Sequence, residues 1–411
     1  MPPSDPHSPH SDSSIMDLLH ACPETSRFHD FIKKDKEIYD YLNDRKSNVT
    51  VFAPTNKAFE LLDRCSKGHD IPPELLKRVL LYHMVEGTHG SQDLRYHNTI
   101  ATKLSEDKLG GGHHQRLRIG LSHDGPTLNF YAVFKMFDSF VDNGVVHAID
   151  SILLPPPSVI DILQYLPTEF STTETAFHRT GLLHELSKKS LTDDDDNGTP
   201  FTLFAPSNRD WQKLGFAANA FLFSDWGLPY LKAIMKYHIV PGELLYSDAW
   251  IKGRHHHHSN GPNTAYDDRG DSSGNRGHNS DILNPVVPEE MLKGWGELRK
   301  RDERDDAHGL LHGYSHVQLP TLLKERTLSV DVTRLERFLS FRVNGLTSVV
   351  ISDAPARNGV LQVPDHVLIP PHSLEEHHDP PEMAEEEVEA WKRGEMPVTL
   401  LKAILEPWVE E

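Results

Sequence analysis

The chain has 411 residues, enough for two or three domains, and its 37% hydrophobic share supplies ordinary cores while leaving room for polar inserts or tails. A net charge of −19, from 61 acidic against 42 basic residues, repels nucleic acid and anionic lipid, so no nucleic-acid partner is expected. No run approaches 18 apolar residues, and no transmembrane helix is predicted.

The N-terminus, residues 1–13, is polar and proline-rich and lacks the apolar core of a signal peptide, so it reads as disordered. Either the chain stays inside the cell or its leader is missing from the sequence. Ser14-Ile15-Met16-Asp17-Leu18-Leu19 follows, a capped amphipathic helix start. The two cysteines, Cys22 and Cys65, form no disulfide framework or metal spacing; one bridge between them and two free thiols are both open. Residues 49–59, VTVFAPTNKAF, read as a buried strand ended by proline, with Thr55 placed to cap the next helix. Asn48-Val49-Thr50 ahead of it is a glycosylation sequon, with Asn48 expected to be partly buried. Leu80-Leu81-Tyr82-His83-Met84-Val85 ends an apolar helix, and NGVVHAIDSILLPP at 143–156 closes the unit.

The same four blocks then recur in the same order. Ser158-Val159-Ile160-Asp161-Ile162-Leu163 matches the first helix start, FTLFAPSNRDW at 201–211 matches the strand, and Ser207 takes the capping position. Tyr237-His238 matches Tyr82-His83, and NGVLQVPDHVLIPP at 358–371 matches the closing block. From Tyr-His to Asn-Gly is 61 residues in the first unit and 121 in the second, which locates an insert near 252–311, polar and read as mostly disordered. Pro155-Pro156-Pro157 makes a short, stiff linker that should hold the two units at a restricted angle. After Pro371 comes an acidic tail, 372–411, with helices expected at 384–391 and 398–409; Leu400, Leu401, Ile404 and Leu405 share one face of the second.

These blocks resemble the fasciclin family. TVFAPTNKAF and FTLFAPSNRDW are similar to its first signature segment, and NGVVHAIDSILLPP to its second, with NGVLQVPDHVLIPP a more divergent copy. The Tyr-His pairs match the family's central pair. The resemblance implies an α+β fold: two tandem fasciclin-type domains, 14–156 and 157–371, each a β-sheet wedge with packed helices. It also implies a non-enzymatic adhesion or matrix-binding protein of a cell surface, wall or lumen. The partner would be a protein or a polysaccharide, and peripheral membrane association is open. The alternative is a vacuolar or other endomembrane protein supporting organelle contact. In the second unit Gln362 stands in the place of His147 and Pro364 in that of Ile149. The proline removes a strand donor, so a lost interaction and a distorted edge are expected there.

Candidate recognition residues are Tyr82, His83, Tyr237 and His238, by resemblance to integrin-binding relatives. The competing reading of each pair is structural, with Tyr packed and His hydrogen-bonded inward. Arg269-Gly270-Asp271 is an RGD tripeptide in the insert, where an accessible loop would present it. Asn197-Gly198-Thr199 is a second sequon, hindered by Pro200. The run His255–His258 could hold a divalent ion loosely, and His308, His312 and His316 would share one face of a helix. No nucleophile elbow, phosphate loop, zinc-protease helix or dinucleotide fingerprint is present, and Asp193–Asp196 lacks the order of a calcium loop. Neither a cofactor nor a committed metal site is expected, and function is expected on exposed faces and loops, not in a pocket. The 27 histidines are the remaining anomaly. If nearly all charged at about pH 5, the formal sum would move from −19 to roughly +7.

Overall fold

A computed structural model describes residues 13–66, 72–110, 113–183, 199–248, 312–335, 338–371 and 383–409. The N-terminal residues, the insert with the RGD tripeptide and the His255–His258 run, Asn197 and the start of the tail lie outside the described residues.

The first half begins with α1 (Ile15–Ala21), α2 (Ser26–Ile32) and α3 (Lys36–Asn43), then β1 (Val49–Pro54), α4 (Asn56–Ser66), α5 (Pro73–Tyr82), β2 (Met84–Glu86) and α6 (Ser91–Leu94). Five strands finish it: β3 (Thr99–Ser105), β4 (His114–Ser122), β5 (Gly125–Leu128), β6 (Ala132–Val141) and β7 (Gly144–Ile149). The second half has α7 (Val159–Tyr165), α8 (Pro167–Thr180), β8 (Phe201–Phe204), α9 (Asn208–Gln212), α10 (Phe216–Leu222), α11 (Leu228–Tyr237) and β9 (Ile239–Pro241). Then come β10 (His312–Pro320), β11 (Thr327–Leu335), β12 (Phe338–Val343), β13 (Thr347–Ala356), β14 (Gly359–Pro364), α12 (Glu385–Lys392) and α13 (Val398–Leu405).

Each half builds one seven-stranded mixed sheet, in the orders β2-β1-β7-β6-β5-β4-β3 and β10-β11-β12-β13-β14-β8-β9. Read from its other end, the second order repeats the first strand for strand. The fold is therefore α+β, with the helices packed on the sheets. One pair in each sheet is parallel, β1 with β7 and β14 with β8; the other pairings whose register is resolved are antiparallel.

Local chemistry explains the repeated blocks. Ser14 and Ser158 cap α1 and α7, each in a reciprocal box with the aspartate three residues on, Asp17 or Asp161. The next backbone donors, Ile15 N–H and Val159 N–H, reach the side chains of Asn143 (2.8 Å) and Asn358 (2.9 Å). Those asparagines precede Gly144 and Gly359, where the parallel strand starts so close that an added Cβ would sit 1.8 Å from the Val49 carbonyl oxygen or 2.1 Å from that of Phe201. The Asn-Gly pair thus ties a helix start to a strand start in both halves.

Apolar burial divides four ways. In the first half one cluster lies around Ile15, Phe28, Val51 and Leu80, and another around Phe52, Tyr82, Leu117 and Leu128. The second half repeats this with Phe177, Leu203, Trp211 and Ile234, and with Phe204, Tyr237, Val330 and Phe341. Leu401 and Leu405 of α13 join the cluster of Phe177 and Trp211, so the described part of the tail docks on this chain. That helix ends at Leu405, and a 3-10 turn covers Glu406–Trp408.

Polar ties join the halves within one compact unit. Thr99 N–H and Oγ1 both donate to the Asp248 carboxylate at 2.7 Å, Gln115 Nε2 donates to the Ala356 carbonyl, and Arg118 Nε to that of Ser352. His312 and His316 lie on strand β10, so they share no helix face, and His308 lies outside the described residues. The Pro364 ladder is shorter: β14 pairs with β8 over four residues, whereas β7 pairs with β1 over six. The bulges beside it are not caused by the proline, because β6 against β7 carries two bulges as β13 against β14 does.

Candidate functional site

The Tyr-His pairs end α5 and α11, and all four side chains are completely buried. His83 Nδ1 faces the Val79 carbonyl at 2.7 Å while Nε2 accepts from Leu153 N–H at 3.0 Å; His238 repeats this with Ile234 and Leu368. Both rings are therefore neutral tautomers with the proton on Nδ1, and burial holds each down to about pKa 4. Tyr82 and Tyr237 donate to the carbonyls of Arg116 and Thr327 and accept from Asn129 and Asn344. Each asparagine takes the left-handed conformation, φ 48° and 51°, and pins a strand turn. None of the four Tyr-His side chains has surface to offer a partner, and the inward structural role is what the geometry shows.

A second knot lies beside each pair. Asp138 accepts from Ser91 N–H and Oγ, and Asp353 accepts from Ser247 N–H and Oγ. Both aspartates have positive φ, 59° and 62°. His147 Nδ1 accepts from Asp138 N–H and its Nε2 donates to the His89 carbonyl. Gln362 does the same with one amide: Oε1 accepts from Asp353 N–H, and Nε2 donates to the Leu245 carbonyl. The interaction expected to be lost at Gln362 is thus kept. This knot is no catalytic triad either, since the imidazole faces backbone and not the serine hydroxyl.

Burial also corrects the expectation that nearly all 27 histidines charge at about pH 5. Desolvation lowers His29 and His147 as well as His83 and His238. Cys22 is a free, half-buried thiol at the end of α1, and Cys65 lies in α4. Asn48 is exposed, not partly buried, and its Oδ1 accepts from Thr88 Oγ1 at 2.5 Å.

An open surface cleft of about 580 Å³ lies between α8, α9 and α10. Its lining is Ser171, Thr172, Thr175, Asn208, Trp211, Gln212, Gly215, Phe216, Asn219 and Phe223, without one ionisable group. The frame is stiff. Asn208 donates to the Pro167 and Thr168 carbonyls and accepts from Thr172 N–H, while Trp211 Nε1 donates to Thr173 Oγ1 at 2.8 Å. Trp211 and Phe223 meet edge to face at 5.6 Å, and Phe216 stands 87% exposed at the rim. Asn219 donates to the Trp211 and Gly215 carbonyls, while its amide oxygen has no hydrogen-bond partner among the described residues. The accessible apolar area comes from Phe216 and half-buried Phe223, since Trp211 is only 1% exposed. Three helices contribute to it at irregular spacing, so no sequence period marks it; only Asn208 and Trp211 fall in a repeated block.

The fasciclin domain model matches the chain twice, over residues 23–155 and 168–285. The second match stops ahead of β10–β14, which complete the second sheet. Among curated relatives, the aurofusarin biosynthesis cluster protein S of Gibberella zeae is 32% identical over 250 residues, covering 59% of this chain and 58% of that protein. A fasciclin-like arabinogalactan protein of Arthroderma benhamiae is 28% identical over 251 residues, covering 57% and 54%. Human periostin is 29% identical over 203 residues, covering 48% and 21%. The chain therefore spans little more than half the length of the first two relatives. Among the described residues no helix is long and apolar enough to cross a membrane. With its two matches and its twice-built Tyr-His-Asn core, the chain belongs to the fasciclin domain family.

Proposed function

We propose that this chain is a non-enzymatic adhesion protein, built from modules at 14–156 and 157–371, that binds a neutral glycan of a cell surface or wall through its second module. The family membership supports adhesion-type binding. The observation that carries the ligand class is the cleft lining, which is all hydroxyl, amide, backbone and aromatic, with Phe216 at the rim. A charged partner would meet no counter-charge there, whereas sugar rings present the apolar faces and hydroxyls that such a wall takes. The tail docked through Leu401 and Leu405 belongs structurally to the second module. Exposed Asn48 leaves room for a glycan if the chain enters the secretory route. The organelle-contact alternative has no comparable observation behind it.

The test is titration of the full chain with neutral wall oligosaccharides by calorimetry, beside Phe216→Ala and Gln212→Ala. Binding that each variant weakens about tenfold, roughly 1.4 kcal/mol, supports the cleft. No binding across the panel, or binding untouched by both substitutions, overturns it.

A further inference from the structure

The first module carries a cluster that neither the fold nor the cleft uses. His89 precedes α6, Asp93 lies on it and His97 follows it, a spacing of four and four around one helical turn. One ligand atom from each of the three lies within 4.8 Å of the others. Asp93 Oδ1 is 3.4 Å from His97 Nε2, and Asp93 Oδ2 is 2.5 Å from His89 Nδ1. Two donors bound to a tetrahedral zinc ion at 2.0–2.1 Å stand about 3.4 Å apart, so the first pair already has ligand spacing and the second has to open by about 1 Å. These half-exposed side chains have room to do so.

The backbone beneath is fixed. His89 N–H donates to Thr50 Oγ1 at 2.8 Å and its carbonyl accepts from His147, which anchors the residue to β1 and β7. Ser91, two residues on, is held by Asp138. The outer nitrogen of His89, Nε2, lies 2.9 Å from the Glu86 carbonyl. A proton on that nitrogen leaves the Nδ1 lone pair free to face Asp93, the ring setting that metal-binding imidazoles use.

The second module shows that the fold does not need these ligands. Leu245 makes the same backbone bonds there as His89, to Thr202 Oγ1 and Gln362. Two residues past Ser247, the counterpart of Ser91, the sequence reads Ala249, and the position matching His97 is Gly253. The backbone bonds at His89 and Ser91 recur at Leu245 and Ser247, and the second module's sequence carries none of the three ligand-type residues at the matching positions.

We propose that His89, Asp93 and His97 form a binding site for one divalent late transition-metal ion of the zinc type, with water completing the coordination. Two imidazoles and one carboxylate suit zinc, copper or nickel over magnesium or calcium. The site is independent of the glycan cleft.

The experiment uses the full chain with His255→Ala, His256→Ala, His257→Ala and His258→Ala, which removes the loose competing run, and titrates it with Zn²⁺ alone by calorimetry. His97→Ala and Asp93→Asn are made in that background. His97 has its resolved side-chain contacts only with Asp93 and His89, so its loss should leave the melting temperature in EDTA unchanged. The expected result is one ion bound by the parent, at least about tenfold weaker binding in both variants, and no change in His123→Ala, whose side chain is fully exposed. No zinc bound by the parent, or equal affinity in parent and variants, overturns the proposal.

Discussion

His147 in the first module and Gln362 in the second occupy the same place and make the same two hydrogen bonds, one to a backbone N–H and one to a carbonyl. What the duplication keeps is donor and acceptor placement, not residue type. The Tyr-His-Asn core is kept atom for atom instead. A single amide replaces the knot imidazole, but no side chain replaces the buried histidine that accepts from one chain segment and donates to the preceding helix turn. The two modules are therefore alike where the hydrogen bonds are internal to the core. They differ at His89 against Leu245, where a side chain reaches the surface.

The largest effect that would break this likeness is at the core histidines. His83→Leu orphans the Leu153 N–H and His238→Leu that of Leu368, each deep in the protein. Unpaired buried polar groups cost about 1–3 kcal/mol each, so both variants should lose about 3 kcal/mol in urea unfolding, by similar amounts. A neutral result in one module alone would show that the twin cores are not energetically equivalent.

Acid should separate the modules next. The unfolded imidazole titrates near pH 6.5 and the folded His83 and His238 near 4, so between these values the unfolded chain holds more protons. Stability is then full above about pH 6.5 and falls as the pH drops toward 4, by about 2 kcal/mol per residue at pH 5. His147 and His29, both of the first module, are also held below their ordinary range by burial, against one raised histidine there, His89, whereas Gln362 does not titrate. Urea melts followed at pH 7 and pH 5 should thus show the first module losing more than the second. Equal losses would remove His147 and His29 together from the account.

Much of this was legible in the sequence. The repeated serine-aspartate starts, the Phe-Ala-Pro strands and the Asn-Gly pairs are local devices, and each forms where its spacing places it. Two things were not. Gln362 reads as a loss because the bonds it keeps run to Leu245 and Asp353, far apart in the chain and joined only by the fold. The cleft around Phe216 is assembled from three helices with no shared period. His89, Asp93 and His97 lie at helical spacing, which could have flagged them, but among 27 histidines that signal is faint. The Tyr-His pairs show the reverse: a strong motif whose meaning is packing.

The smallest predicted effect is the sharpest test of the comparison. His147→Gln places in the first module the side chain that the second already uses, with a backbone donor at the same bulge and a carbonyl acceptor beyond it. If geometry governs, the amide accepts from Asp138 N–H and donates to the His89 carbonyl, and stability at pH 7 changes by less than about 1 kcal/mol. His147 also stacks on Phe52 at 5.7 Å, and losing that contact sets the residual effect. The same variant should reduce the extra acid sensitivity of the first module without abolishing it, because one of the groups that gain a proton on unfolding is gone while His29 stays. A loss of several kcal/mol at neutral pH would mean that the imidazole does more than its two hydrogen bonds. The equivalence of His147 and Gln362 would then be one of shape alone.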